Sequence, residues 1–340
     1  MTFPKKFSIA SLYEFTGHHL LWLTAWVSSV TLMHQYTDWE INAFPWFPLP
    51  LIGTAVAFYV GFKNNQSYER LWEARKLWGE IAIASRMLVT MVLNYKSGEP
   101  DAVERAEDRR QIVRRHIAYL YQLRQQLLEP PEWDHLSLEG FWGKGYASHR
   151  RDKLNKRFQQ ELESIAIEQY LPAEECLTLK GYKNKCLQLL NLQTQVIQQL
   201  FESKSINMVQ QMEFQSNIRS FNESQGRMER IKQSPFPRKY ATFSFIFVCV
   251  FIFMLPFGIV GELSNLGSVG VWFSIPVGVI IGWIFVAMEM IGDYSENPFD
   301  GLHTDVPMLY ICREIEIDLL QALGISEIPD PIKPKAHVLI

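Results

Sequence analysis

The sequence predicts an all-α integral membrane protein. Three observations carry that expectation: long uncharged apolar runs, their placement in pairs near the two ends of the chain, and a central region with no sustained period-two alternation. Residues 240–261 and 263–288 carry no charged side chain, and each run exceeds the roughly 20 residues that cross hydrocarbon. Residues 20–37 and 41–62 are further uncharged runs, the first just long enough and the second broken by Pro45, Pro48 and Pro50. The expected spans are therefore 20–37, 46–62, 240–261 and 266–289. A hydrophobic content of 48% in 340 residues would not by itself announce a membrane protein; its distribution does.

Charge orients the spans. Most of the 33 lysines and arginines lie between Lys63 and Lys239, and Lys5-Lys6 flank the amino terminus. The positive-inside tendency then puts the amino terminus and residues 63–239 in the cytoplasm, and an even number of spans returns the carboxyl terminus there. The expected location is the inner (plasma) membrane. No cleavable signal peptide is expected, because the first apolar run starts near Leu20 without a basic lead and a small-residue cleavage site. A formal charge of −3 points to no nucleic-acid partner. Cys176, Cys186, Cys249 and Cys312 have no metal-ligand spacing and fit a reducing cytoplasm or, for Cys249, an apolar span.

Along the chain, residues 1–19 read as an amphipathic lead, with Phe3, Phe7, Leu12, Tyr13 and Phe15 available to a membrane surface. Helical spacing recurs over 72–93 (Leu77, Ile81, Ala84, Leu88) and over 102–128 (Val103, Ile112, Ile117, Leu120, Leu127), where Pro130-Pro131 ends it. Residues 132–145 form a loop rich in Trp, Gly and Asp, and further helices are expected over 154–170 and 186–229, the latter dense in Gln. The expected organisation is one domain over 1–325 and a tail over 326–340. Pro329, Pro331 and Pro334 make that tail extended and peripheral.

The most informative stretch is 51–79, LIGTAVAFYVGFKNNQSYERLWEARKLWG. Its first twelve residues are uncharged, small or aromatic, and the rest turn abruptly to Lys, Arg, Glu, Asn and Trp, as a helix does on leaving lipid for water. Thr54, Phe58 and Phe62 recur every four residues and share one helix face. Gly53, Ala55, Ala57 and Gly61 supply small side chains suited to close helix contact in a membrane. Arg70, Trp72, Glu73, Arg75, Lys76 and Trp78 fit a boundary anchor that pairs between subunits better than an ion site.

This stretch resembles the sequence that follows the second transmembrane helix of bacterial bestrophins. SPFPRKY at 234–240 leading into LPFGIVGE at 255–262 agrees with it, as does GDYSENPFDGLHTDVPM at 292–308 followed by CREIEIDLLQALG. The resemblance covers roughly 5–325. It implies a homopentameric ion channel with its pore on the five-fold axis, so that the partners are further copies of this chain, the bilayer and permeant inorganic ions. It puts Thr54, Phe58 and Phe62 at the pore neck, as rings about 6 Å apart along a helix rising 1.5 Å per residue. Counting back from Pro237, it puts a second, cytosolic constriction near Val209, with Ile206 one turn away. The Gln-rich helix fits the lining of a water-filled vestibule better than an ordinary solvated face.

Apolar rings restrict conduction by dewetting, and phenylalanines favour an anion when presented edge-on but a cation when presented face-on. Phe58 and Phe62 together resemble the anion-selective pattern of animal bestrophins, while Thr54 departs from it, and that resemblance implies an anion such as chloride as the permeant ion. A cation-conducting bestrophin and a membrane-anchored scaffold without a pore are the alternatives. An enzyme is not expected, since no GxSxG, HExxH, P-loop or GxGxxG arrangement is present. Adjacent His18 and His19 lie about 100° apart on a helix and read as interfacial polar residues rather than a metal pair. Asp293, Glu296, Asp300 and Asp305 are diluted by Tyr294, Pro298 and Gly301, whereas calcium needs six to eight converging oxygens. No metal and no cofactor is assigned.

Overall fold

The computed structural model of the chain describes residues 13–37, 47–94, 102–130, 144–234, 236–335 and 338–340. Side chains are described within these except at Glu14, 102–106, 144–150 and Arg238. Phe3, Phe7, Leu12, Lys5, Lys6, Pro45 and most of the loop over 132–145 lie outside the described residues. Secondary structure among the described residues is helical, with one isolated bridge between Lys335 and Val338. The chain forms two compact units, Pro4–Arg70 with Pro235–Asn297, and Leu71–Ser234 with Pro298–Ile340.

The first unit is built from apolar helices. A π-turn at Tyr13–Gly17 leads into α1 (His18–Tyr36). Helix α2 (Pro48–Asn94, 47 residues) contributes its residues through Arg70 to this unit and those from Leu71 to the second. Pro48 and Pro50 sit in its first turn, where the backbone N–H groups they lack would have no intrahelical acceptor. Helices α9 (Arg238–Ser264) and α10 (Ser268–Ser295) complete the unit. Gly267, at φ +79°, turns the chain between them in a conformation that costs a side chain-bearing residue strain. Pro256 and Pro276 lie inside α9 and α10.

Packing in this unit depends on small residues of α10. Gly270, Ser274, Gly278 and Gly282 recur every four residues and are buried. A Cβ at Gly278 would lie 3.0 Å from Val27, and one at Gly282 3.0 Å from Leu23, so the glycines let α1 approach closely. The Thr31 and Ser274 hydroxyls meet at 3.1 Å along the same seam. Leu23, Val56, Val60, Phe251, Leu255 and Ile259 make the apolar core.

Three helices among the described residues are long and apolar enough to cross a membrane: Pro48–Asn94, Lys239–Ser264 and Ser268–Ser295. Helix α1 has 19 residues, about 28 Å, but dilutes its leucines with two His at its start and Thr24, Ser28, Ser29 and Thr31. Several hydroxyls are returned to its own backbone, as from Thr24 to the Leu20 carbonyl at 2.7 Å.

The second unit holds the rest of α2, α3 (Ala102–Leu128), α4 (Lys144–Arg157), α5 (Gln159–Glu163), α6 (Ala173–Leu179), α7 (Lys185–Glu202), α8 (Met208–Gln233) and α11 (Met308–Ala322). Trp78, Tyr119, Tyr121, Phe158, Phe214, Phe221 and Phe299 fill its core. The boundaries of α3 match the helix expected over 102–128. The helix expected over 186–229 is instead two. Lys204 takes φ +59°, and Asn207 opens α8 through a reciprocal capping box with Gln210. The helix expected over 154–170 is likewise split, by Phe158 and by a 3-10 turn at Ile167–Tyr170.

The tail departs from expectation more sharply. It is extended but not peripheral, and the boundary drawn at 326 has no counterpart in the packing. Ile332, Val338, Leu339 and Ile340 are buried in the same core, and the Tyr310 amide donates to the Ile340 carbonyl at 2.9 Å. Lys335 is drawn in by Glu161 at 2.6 Å and by the Phe158 ring. Apolar side chains at the chain's end had a core to enter, which the prolines around them did not reveal.

Buried polar groups tie this unit together. Arg115 pairs with Glu175 at 2.5 Å and donates to Gln193, fastening α3 to α6 and α7. His116 is buried beside the Ser85 hydroxyl (2.8 Å), stacked on Tyr119 and tilted against Phe221. Burial pulls its pKa down to about 3. The unfolded chain therefore takes up a proton near pH 6.5 that the folded unit refuses until pH is near 3. Stability from this site is complete above about pH 6.5 and is lost as pH falls towards the folded value. Urea unfolding of the detergent-extracted protein should weaken across that window, and His116→Phe should flatten the loss. An unchanged slope in His116→Phe would rule out the assignment.

Candidate functional site

The face of α2 defined by Thr54, Phe58 and Phe62 is open in the chain. Phe58 is 70% exposed and Phe62 60%, while Val56 and Val60, on the opposite side, are buried. Exposed Leu51, Thr54, Ala55, Phe58, Gly61, Phe62 and Asn65 follow the i, i+3, i+4, i+7 spacing of a single stripe. On the buried side α2 meets α9: a Cβ at Gly53 would lie 2.8 Å from the Phe251 ring, and Tyr59 stacks on Tyr240. The close contact expected of the small residues is thus realised within the chain at Gly53. A Cβ at Gly61 would meet no atom within 4 Å, and Ala55 is exposed.

Within the stripe, Phe58 and Phe62 meet edge to face, with centroids 4.9 Å apart and an interplanar angle of 83°. Thr54 donates its hydroxyl to the Pro50 carbonyl at 2.8 Å, so its proton is committed to its own helix. Below Phe62 the stripe becomes polar, with the Asn65 amide donating to Glu69 at 3.1 Å.

The second pair of candidate residues is not kept together. Val209, in the first turn of α8, is 65% exposed with Met208 and Met212 beside it. Ile206 is only 5% exposed and packs in the core. It precedes the Asn207 cap, so the two do not share one turn of α8.

Two of the boundary residues pair through their side chains inside the chain, and a third is buried in it. Arg70 donates to the Glu296 carbonyl at 3.0 Å, Glu73 pairs with Arg230 at 3.1 Å, and Trp78 is fully buried. The acids of 293–305 are also taken up. Asp293 pairs with Lys63, and Asp300 pairs with Lys232 at 3.4 Å. Asp305 accepts the Leu302 amide at 2.9 Å, and burial with nearby Asp300 pushes its pKa up to about 8. The His18 and His19 rings meet at a tilt of 43° with centroids 3.9 Å apart, and the Trp22 indole donates to His19 at 3.0 Å.

Sequence reasoning missed one cluster, in the first unit. Lys63 is buried and pairs with Glu289 at 2.5 Å and with Asp293, while the Ser244 hydroxyl donates to Glu289 at 2.6 Å. The available signal was a carboxylate one residue past an apolar run and a lysine one residue past another.

The sequence pattern of a family described as bacterial/fungal bestrophin protein matches residues 14–321. The chain is a bestrophin. Voltage-dependent anion channel-forming protein YneE of Escherichia coli (strain K12) is 29% identical over 311 residues, covering 92% of this chain and 87% of that protein. A voltage-dependent anion channel-forming protein of Ralstonia nicotianae is 27% identical over 293 residues, covering 86% and 82%. The bestrophin also shares its fold with a crystal structure of a bacterial bestrophin homologue from Klebsiella pneumoniae. There the TM-score is 0.72 at 23% identity, covering 91% of this chain and 99% of the other.

Proposed function

We propose that this bestrophin is a pore-forming channel, not an enzyme, that passively conducts small anions such as chloride through a homopentamer. The observation that carries the reading is the apolar stripe of Thr54, Phe58 and Phe62, open on one face of α2 while the other face is buried in its own unit. An aromatic stripe left unpacked by its own chain suits a ring around an axis, where dewetting and the positive ring edges act on permeant ions. The names of the E. coli and Ralstonia relatives support an anion. Val209 would form a second, cytosolic ring. The reading includes α1 as a fourth span, both termini in the cytoplasm, and residence in the inner membrane.

Reconstitution into liposomes under a salt gradient tests the function: the reversal potential should lie towards the chloride equilibrium potential. A potential set by the cation would favour the cation-conducting alternative, and no conductance at all would favour a scaffold. Assembly is tested by the mass of the detergent-extracted particle, expected at five subunits; a monomer or dimer would remove the shared axis. For topology, buried Cys186 cannot report, so Leu177→Cys, at a position 66% exposed, is the better probe. Impermeant reagent added to intact cells should not label it, and efficient labelling would overturn the four-span arrangement.

A further inference from the structure

Lys63 follows Phe62 directly but projects to the other side of α2. At 100° per residue it lies about 100° from Phe62, 140° from Phe58 and 180° from Thr54. Its side chain is 1% exposed and its ammonium reaches two carboxylates one turn apart on α10, Glu289 at 2.5 Å and Asp293. Glu289 in turn accepts the Ser244 hydroxyl of α9 at 2.6 Å. Three helices therefore meet at one ammonium–carboxylate–hydroxyl node, directly behind the aromatic stripe. The neighbouring residue adds a second tie, the Asn64 amide donating to the Met288 carbonyl at 3.0 Å. Gly292 keeps the approach open, since a Cβ there would lie 2.3 Å from Asn64 Oδ1 and 3.3 Å from Lys63 Cε.

Elsewhere α2 faces α9 through apolar surface, which tolerates sliding and rotation because dispersion is non-directional. The node is different. A buried ammonium and carboxylate cannot separate without leaving charge unpaired. Turning α2 about its axis far enough to carry Phe58 and Phe62 off the exposed face would withdraw Lys63 from both acids. We propose that Lys63, Glu289, Asp293 and Ser244 form a positioning device that fixes the rotation of the neck helix and thereby the pore's anion preference. The inference rests on the assignment of Thr54, Phe58 and Phe62 to the neck.

The test compares full-length Lys63→Met, Lys63→Arg, Glu289→Gln and Phe58→Ala proteins in planar bilayers under asymmetric salt, after their mass is checked. Lys63→Met makes the node more negative and Glu289→Gln makes it more positive. If position is what matters, both should lower the anion-over-cation permeability ratio, by about threefold or more, and Lys63→Arg should restore most of it. Purely structural damage would reduce the number of active channels and leave the ratio of the survivors unchanged, which would overturn the proposal. Opposite movements of the ratio would reveal a field effect and overturn it too. Should Lys63→Met not assemble, Lys63→Met/Glu289→Gln removes both buried charges and is read in the same way. An unchanged ratio in the node variants with an altered one in Phe58→Ala rejects the positioning role alone. An unchanged ratio in Phe58→Ala rejects the neck assignment and the proposal with it.

Discussion

Replacing Phe58 with alanine is expected to raise conductance and to lower anion-over-cation preference together. The side chain is 70% exposed within its own chain, so its removal costs the subunit little packing. In a five-fold ring it would remove five apolar obstacles to hydration and five oriented quadrupoles. Taking about 0.5–1 kcal/mol as the scale of one ring–ion interaction at an exposed site, and about 1.4 kcal/mol for a factor of ten, loss of a single such term corresponds to a fall of about two- to fivefold in the permeability ratio, and a fall of at least that size is expected. Val56→Ala supplies the control. Val56 is 4% exposed and about 200° around the helix, so its truncation should cost about 1–2 kcal/mol of stability and leave the ratio unchanged. Planar-bilayer recordings decide the matter. If Val56→Ala altered selectivity while Phe58→Ala did not, the pore would lie on the other face.

The largest stability loss is expected at Glu316. Its side chain is 1% exposed and accepts the Tyr121 hydroxyl at 2.5 Å, the Tyr170 hydroxyl, and Arg313 Nε at 3.2 Å. Burial and the Glu316 carboxylate hold the Tyr121 hydroxyl protonated, so it remains a donor. Glu316→Ala would leave the Arg313 guanidinium, 5% exposed, with no buried counter-charge and two tyrosines without an acceptor. Breaking a buried pair from one side costs about 3–5 kcal/mol, against about 1 kcal/mol for the single hydrogen bond lost in Tyr121→Phe. Thermal unfolding of the extracted protein should rank the variants in that order. Glu316→Ala melting with the parent would mean the node is not what ties α11 to α3 and the 3-10 turn.

Much of the architecture is legible in the chain's own pattern. The apolar runs mark the helices of the first unit, because a segment without charge and with 3.6-residue periodicity has few other ways to satisfy its backbone. The stripe of Thr54, Phe58 and Phe62 is legible for a similar reason: residues four apart must share a helix face. The break before Asn207 was also within reach, since Asn207 and Gln210 carry the capping-box spacing, but the density of Gln around it hid the signal. The alternation of Gly270, Ser274, Gly278 and Gly282 was available too and would have identified the seam with α1.

Other features had no local signature. Whether an apolar residue is packed or open depends on what arrives from elsewhere in the chain. Ile206 and Val209 are equally apolar in sequence, yet only the first has core around it. The tail's final residues enter a core formed by helices far upstream. Lys63 and Glu289 are 226 positions apart, and nothing near either one announces the other. Periodicity and charge, which act within a few residues, determined from sequence alone where the long apolar helices and α3 lie and which face of α2 carries the aromatics. Burial and ion pairing act between segments that folding brings together. Only the tertiary structure could decide which side of α2 is covered, and which acid receives the lysine behind Phe62.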